Sequence, residues 1–443
     1  MNLKLAINAL LIGAMCTVTS CLNDDDTDYS TYEQAAITSM TFQTLTRLDS
    51  TTFSAKTYPI SIDQINRTIT CPDSLPVNTD LRKIMVSVGT SNAAIPYMQK
   101  EDGNWTTMTT ADTLDCTSTR NVKCVSYNGQ SSIDYTMTFC AHKEYADSFS
   151  WGNAVTANEI AQLTDIKALC VGNRMVVMGK NGDKALIYSA ETSSPDTWTD
   201  VTYTSGLSAN AQMTTDGTAL YVLDNGNVCT MAPDLSWTAT ALSASVKALA
   251  AAYHGTLYAI GEDKTLMYTT DNGASWITER RTEDASELPD ACLNSYSYAL
   301  ENNNGLERLT IVGYKSDGTS VIWSKLFDLS GDGADEAWMY QGYAPFSSKR
   351  LPVLNNVSVT YYKEQALATG SGARDIYVTH DNGLTWGTEN RFKYPSDYDA
   401  STDKAVIVAD NNNLLWLISA GSGKVWRGRV NKYTWEEQPQ YYK

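Results

Sequence analysis

Histidine is nearly absent from the 443 residues, which carry only His142, His254 and His380. So small a stock leaves little for histidine-rich zinc sites or for a Ser-His or Cys-His catalytic pair. An excess of positive charge is missing too. Lys and Arg number 33 against 50 Asp and Glu, for a formal net charge of −17. Such a chain repels phosphate backbones and anionic headgroups, which argues against nucleic acid as a partner. No Cys-x-x-Cys spacing occurs, so thioredoxin-like redox chemistry and zinc ribbons have no support. After the N-terminal segment no apolar run approaches a membrane span. Long stretches of helical period are lacking as well, and residues 159–163 allow one or two turns at most.

What is present begins with a processing signal. Lys4 is followed by a mostly apolar run of about ten residues, too short to span a bilayer but suited to a signal peptide. The segment Val18-Thr19-Ser20-Cys21 resembles the lipobox of bacterial lipoproteins. That resemblance implies cleavage after residue 20 and lipidation of Cys21, with each buried methylene adding roughly 0.8 kcal/mol of membrane attachment. Asp24, Asp25 and Asp26 open an acidic tether over residues 21–33, self-repelling and therefore extended. They resemble the surface-export signal of lipoproteins in the Bacteroides group, which implies the outer face of the outer membrane.

Seven cysteines follow Cys21, an odd number that cannot all pair. Cys71, Cys116, Cys124 and Cys140 fall in the N-terminal domain, where an oxidising location permits bridges of unassigned connectivity. Cys170, Cys229 and Cys292 read as buried thiols.

Residues 34–142 alternate apolar and polar positions in short segments, such as Ala36-Ile37-Thr38-Ser39-Met40-Thr41-Phe42, residues 83–88 and residues 132–139. The period of two predicts strands buried on one face and a small all-β sandwich. Residues 60–64 and 75–81 resemble the small immunoglobulin-like domains that follow lipoprotein anchors in Bacteroidota surface proteins, whose usual role is that of a spacer.

Residues 143–443 repeat. Thr269-Thr270-Asp271-Asn272-Gly273-Ala274-Ser275-Trp276 and Thr379-His380-Asp381-Asn382-Gly383-Leu384-Thr385-Trp386 share one pattern. Asp-Asn-Gly supplies a turn with left-handed positions, the aspartate and hydroxyls bond loop amides, and the tryptophan covers the hairpin base. The pattern is that of the Asp-box. Degenerate copies end at Trp198 and Trp237, and Trp338 and Trp435 close two more, so the six tryptophans are spaced by 39, 39, 62, 48 and 49 residues. These spacings are near the length of a four-stranded blade and predict a six-bladed β-propeller. Strand-like steps precede the boxes, with a further strand before most of them, as at residues 220–223 and 405–408. Phe149-Ser150-Trp151 is expected to pair with the last blade and close the ring.

Asp-boxes are familiar from sialidases, which need an arginine cluster, a tyrosine nucleophile with its glutamate, and an acid-base aspartate. The boxes supply none of these. The Arg-Ile-Pro motif expected ahead of the first box has its nearest match in Arg350-Leu351-Pro352, after the fourth blade. Another glycosidase would need a carboxylate pair across the centre, for which Glu279, Asp375 and Glu389 are candidates. Asp328, Ser330, Asp332 and Glu336 fall at positions 1, 3, 5 and 9 of a glycine-bearing loop, an arrangement that can wrap calcium, although Met339 stands where a twelfth-position glutamate belongs. Trp105, Trp151, Tyr340, Tyr343, Tyr361 and Tyr362 are candidate aromatic platforms.

The whole resembles an uncharacterised Bacteroidota lipoprotein family. The resemblance implies a non-catalytic surface protein that binds a glycan, peptide or protein and works beside an outer-membrane nutrient importer. The alternative is a hydrolase acting on glycans in the central funnel.

Overall fold

The computed structural model describes residues 33–300, 305–330, 336–341 and 349–431. The chain divides into two compact units, the first running up to Ala146 and the second starting at Asp147.

In the first unit Ser61–Asp63, Thr68–Thr70, Ser132–Thr138, Arg120–Val125, Ile95–Gln99 and Trp105–Thr107 form one sheet in that order. Ile37–Phe42 pairs with Val86–Thr90 in a second, two-stranded sheet. Alternation decides which side chains meet between them. Val122, Cys124, Tyr135 and Met137 point inward from the large sheet and Ile37, Met40 and Phe42 from the small one, all buried in a single cluster. Phe42 packs edge-on against Phe139 at 4.9 Å between ring centroids. Residues 83–88 depart from the expected strand. Asp80 accepts from the Arg82 amide and pairs with the Arg82 guanidinium at 2.8 Å, capping a 3-10 turn over Leu81–Lys83, so pairing begins only at Val86. Cys71, Cys116, Cys124 and Cys140 stand as free thiols.

The second unit is a six-bladed propeller. Blade 1 comprises Thr164–Val171, Arg174–Asn181, Lys184–Glu191 and Thr199–Asp200, and blade 2 Gln212–Thr215, Leu220–Asp224, Asn227–Met231 and Trp237–Ala241. Blade 3 comprises Val246–Tyr253, Thr256–Gly261, Leu266–Thr269 and Ile277–Thr278, and blade 4 Ala291–Ala299, Leu306–Tyr314, Ser320–Asp328 and Met339–Tyr340. Blade 5 comprises Ser358–Tyr362, Gln365–Thr369, Tyr377–Thr379 and Gly387–Thr388. Blade 6 is assembled from both ends of the unit. Lys404–Ala409, Leu415–Ala420 and Lys424–Val430 receive their fourth strand from Phe149–Trp151. Residues 405–408 are thus the innermost strand of blade 6, one step earlier than the repeat pattern implied. Trp435 lies outside the described residues.

Each blade is covered on both faces, which is why its middle strands lack alternation. Leu220–Asp224 and Leu415–Ala420 are buried at every position. Six apolar clusters fill the six gaps between successive blades, the last joining Val406, Val408 and Trp416 of blade 6 to Ala168, Met175 and Val177 of blade 1. The ring is closed, and closure covers the apolar faces that the end blades of an open array would expose, leaving each blade only a short outer edge.

Candidate functional site

The two complete Thr-x-Asp-Asn-Gly hairpins join the third and fourth strands of blades 3 and 5, and their polar atoms are consumed internally. Asp271 accepts from the Ser275 amide at 2.8 Å, the Ser275 hydroxyl at 2.6 Å and the Thr269 hydroxyl at 2.6 Å. Thr269 in turn accepts from the Gly273 amide at 3.0 Å. Asp381 repeats this with Thr385 at 2.8 and 2.6 Å and Thr379 at 2.8 Å, and the Gly383 amide donates to Thr379 at 2.9 Å. The hydroxyl of Ser275, followed by that of Thr269, holds the Asp271 carboxyl down at about 2. Trp386 donates to the Gly383 carbonyl at 3.0 Å, while Trp276 is half-buried over its own hairpin. Trp198, in a degenerate copy, keeps the same tie to Pro195 at 2.9 Å. These residues build the hairpins.

None of the carboxylate candidates lines the central cavity described below. Glu279 is buried in an ion pair with Lys325 at 2.8 Å. Glu389 contacts His380 and lies 3.5 Å from Arg391 on the surface of blade 5, and Asp375 is exposed. In the calcium candidate, Asp328 accepts from the amide and hydroxyl of Ser330, Glu336 is exposed, and Asp332 lies outside the described residues. Among the described residues no group of three or more His, Cys, Asp or Glu is placed to hold a metal ion.

Most candidate aromatic platforms are packing elements. Tyr340 and Tyr362 are buried, and Tyr361 stacks on Tyr298 at 4.3 Å between ring centroids. Trp151 donates to the Lys393 carbonyl at 2.7 Å and lines a hollow with Tyr394 and Asp397. Trp105 is exposed beneath the Lys123 ammonium at 4.6 Å. Tyr343 lies outside the described residues.

A different set of residues, unmarked by any motif, surrounds a cavity of about 560 Å³ where the innermost strands begin. Its charged lining is Asp165, Lys167 and Lys180 of blade 1, Lys247 of blade 3 and Asp290 ahead of blade 4. Asn210, Gln212 and Asn356 add amides, and Met178, Met213, Leu249 and Leu293 an apolar patch. Inner strands of neighbouring blades share no backbone ladder, so side chains tie them together. Gln212 donates to the Lys247 carbonyl at 3.1 Å, Asn294 to that of Val357 at 3.1 Å, and Ser358 to that of Ile407 at 2.7 Å.

Two further side chains reach beyond a neighbouring blade. The Lys167 ammonium donates to the carbonyls of Met213 in blade 2 at 2.9 Å and Leu293 in blade 4 at 3.1 Å. Asn356, in the left-handed region at φ 48°, donates to the Ile166 carbonyl of blade 1 at 2.7 Å. Both side chains line the cavity, which forms a funnel among the inner strands. On its wall Lys180 pairs with Asp165 at 3.0 Å, and Asp290 pairs with Lys264 at 2.7 Å and Lys247 at 3.7 Å. The Lys264 ammonium keeps the Asp290 carboxyl below the usual carboxylate range against the opposing effect of burial.

Sequence reasoning ranked residues by box and loop grammar, and these sit in neither. A signal was nevertheless there. Ile166-Lys167-Ala168-Leu169 and Val246-Lys247-Ala248-Leu249 repeat a lysine at the start of an innermost strand, where a blade buried on both faces has no packing use for one.

Two adjoining family models match the chain: the DUF6242 N-terminal domain, a domain of unknown function, at residues 28–139, and the DUF6242 beta propeller domain at residues 145–438. No curated protein matches it. Among solved structures, an auxiliary nutrient binding protein from Bacteroides ovatus is similar at 8% identity and a TM-score of 0.42, covering 81% of this chain and 96% of that one. SapL1 lectin in complex with alpha methyl fucoside is similar at 12% identity and a TM-score of 0.38, covering 59% and 90%. YCF48 from Cyanidioschyzon merolae is similar at 12% identity and a TM-score of 0.36, covering 64% and 99%.

Proposed function

The chain belongs to the DUF6242 family, and from that premise we propose that it is a non-catalytic cell-surface lipoprotein that binds a glycan in the funnel of its propeller. The observation that supports the reading is a cavity of about 560 Å³ lined by charged and amide side chains, with Lys167 and Asn356 tying its blades together. A glycosidase acid must hold its proton near neutral pH. Asp290 is pushed the other way by Lys264, and Asp165 is exposed and paired with Lys180. Among the described residues no arginine lines the funnel, so none of them offers a sialidase-type grip on a substrate carboxylate there.

In this proposal residues 1–20 are the signal peptide, Cys21 carries the lipid and residues 21–33 are the tether. Residues 34–142 serve as an immunoglobulin-like spacer, and residues 143–443, with their Asp-box hairpins, present the funnel to an outer-membrane nutrient importer. Cys21 lies outside the described residues, and the lipobox sequence supports its role. Calcium at Asp328, Ser330, Asp332 and Glu336 is a separable part of the proposal. A flat calorimetric trace on chelator-treated protein disposes of it.

The deciding experiment is a glycan array run beside a hydrolysis screen on the full chain. Binding to a restricted set of glycans without release of sugar is expected. Turnover of any bound glycan overturns the non-catalytic reading. Replacing Cys21 with Ser is expected to move the protein from the detergent phase to the aqueous phase, and an unchanged partition overturns the anchor.

A further inference from the structure

Resting on that glycan-binding reading, we infer that the funnel selects an anionic sugar, one whose terminal residue carries a carboxylate or a sulfate ester. The charge of the lining is the first argument. Three ammonium groups, Lys167, Lys180 and Lys247, face the cavity with two carboxylates, Asp165 and Asp290. A further ammonium, Lys264, stands 2.7 Å from Asp290. The chain as a whole carries −17. A locally positive hollow in an acidic protein focuses field on its interior and draws anions that the remaining surface repels.

The second argument is what the lining omits. Among the described residues around the funnel none is aromatic. Stacking of a flat sugar face on a ring, the usual source of affinity for a neutral glycan, is not on offer there. Binding energy must come from charge-assisted bonds and amides, with Met178, Met213, Leu249 and Leu293 meeting C–H faces.

The third argument is fixed placement. Two backbone carbonyls 2.9 and 3.1 Å away hold the Lys167 ammonium beside the cavity. Lys247 and Lys180 are held on the walls by Asp290 and Asp165 at 3.7 and 3.0 Å. Cations held in place around the cavity meet an entering anion without first being ordered, which lowers the entropic cost of binding.

The test is calorimetric titration of the full chain with three probes of matched length: an oligogalacturonate, a sulfated oligogalactoside and the neutral oligogalactoside. Wild type is compared with Lys247→Gln and Lys180→Gln. Both lysines are partly exposed, and Asp290 keeps Lys264 when Lys247 is lost, so the variants retain the fold and their melting temperatures check it. At least one anionic probe is expected to bind at least tenfold more tightly than the neutral one, to weaken about tenfold in each variant, and to weaken as salt rises. The two anionic arms tell carboxylate from sulfate. Equal affinity for neutral and anionic probes overturns the inference and leaves glycan binding standing. Anionic binding that both variants leave unchanged also overturns it, because the site is then elsewhere. No binding by any probe, together with a blank glycan array, overturns inference and reading together.

Discussion

Lys325 of blade 4 and Glu279 at the end of blade 3 meet at 2.8 Å with side chains 2% and 4% exposed, a full ion pair inside the gap between two blades. The ammonium also lies 5.8 Å from the Tyr258 ring centroid and 5.5 Å from that of Phe327. A carboxylate that looks catalytic in sequence is therefore structural. Glu279→Ala takes a carboxylate away from a buried ammonium and is expected to cost about 3 kcal/mol in urea unfolding of the propeller. Replacing both partners with apolar residues of similar volume, as in Glu279→Leu with Lys325→Met, is expected to recover most of that loss. A Glu279→Ala protein with an unchanged urea midpoint removes the structural role.

Gly383 makes a different contact between blades. Its backbone is left-handed at φ 93°, and a Cβ there would stand 2.6 Å from Ile322 Cδ1 of blade 4. Both the dihedral and the close approach demand glycine. Gly383→Ala is expected to destabilise by roughly 1–3 kcal/mol. Gly387, four residues on, has no such dihedral and nothing within 4 Å of an added Cβ. Gly387→Ala is the internal control and should fall within about 0.5 kcal/mol of wild type. Equal melting temperatures for the two variants would refute the argument.

The contrast between these glycines and the funnel shows what a single sequence exposes. Asp-Asn-Gly followed by tryptophan encodes a local turn whose threonine and aspartate bond within the same eight residues, so its grammar and, from its repetition, the blade count could be read directly. Lys167 finds its partners 46 and 126 residues away, and no local pattern records that. Glu279 was visible as a carboxylate, but its burial depends on a strand 46 residues later. The 3-10 turn at Leu81–Lys83 was hidden for the opposite reason. A single side chain, Asp80, captured the backbone before the alternating strand could form.

Asp271 provides a pH test of the hairpins. Its carboxyl titrates at about 2 in the folded chain against an ordinary 3.8. A depressed folded value stabilises the native state above the unfolded pKa, and that contribution fades as pH falls from 3.8 through about 2. Wild type is therefore expected to lose more stability than Asp271→Asn across this window, with the difference between them constant from about pH 5 upward. Thermal melts of both proteins at stepped pH measure it. A difference that stays constant down to about pH 2 means the carboxylate is not held by Ser275 and Thr269.

Ring closure rests on a strand of three residues. Phe149, Ser150 and Trp151 pair with Val430, Arg429 and Gly428, and the Phe149 ring packs on Phe392 at 5.2 Å and Trp151 at 4.8 Å between centroids. Trp151 fastens the same strand to the Lys393 carbonyl at 2.7 Å. Without this strand Lys424–Val430 keeps only the short pairing with Val155–Thr156 on its outer side, and the rest of that edge is exposed. Phe149→Ala removes the anchoring ring from a partly buried position, and about 2 kcal/mol of destabilisation is expected. Its distribution is the sharper readout. Amides of Lys424–Val430 and Leu415–Ala420 should lose hydrogen-exchange protection first, while Thr256–Gly261 in blade 3, on the far side of the ring, keeps its own. Uniform loss of protection in all six blades would mean that the ring opens as one cooperative unit and that Phe149 is not a latch.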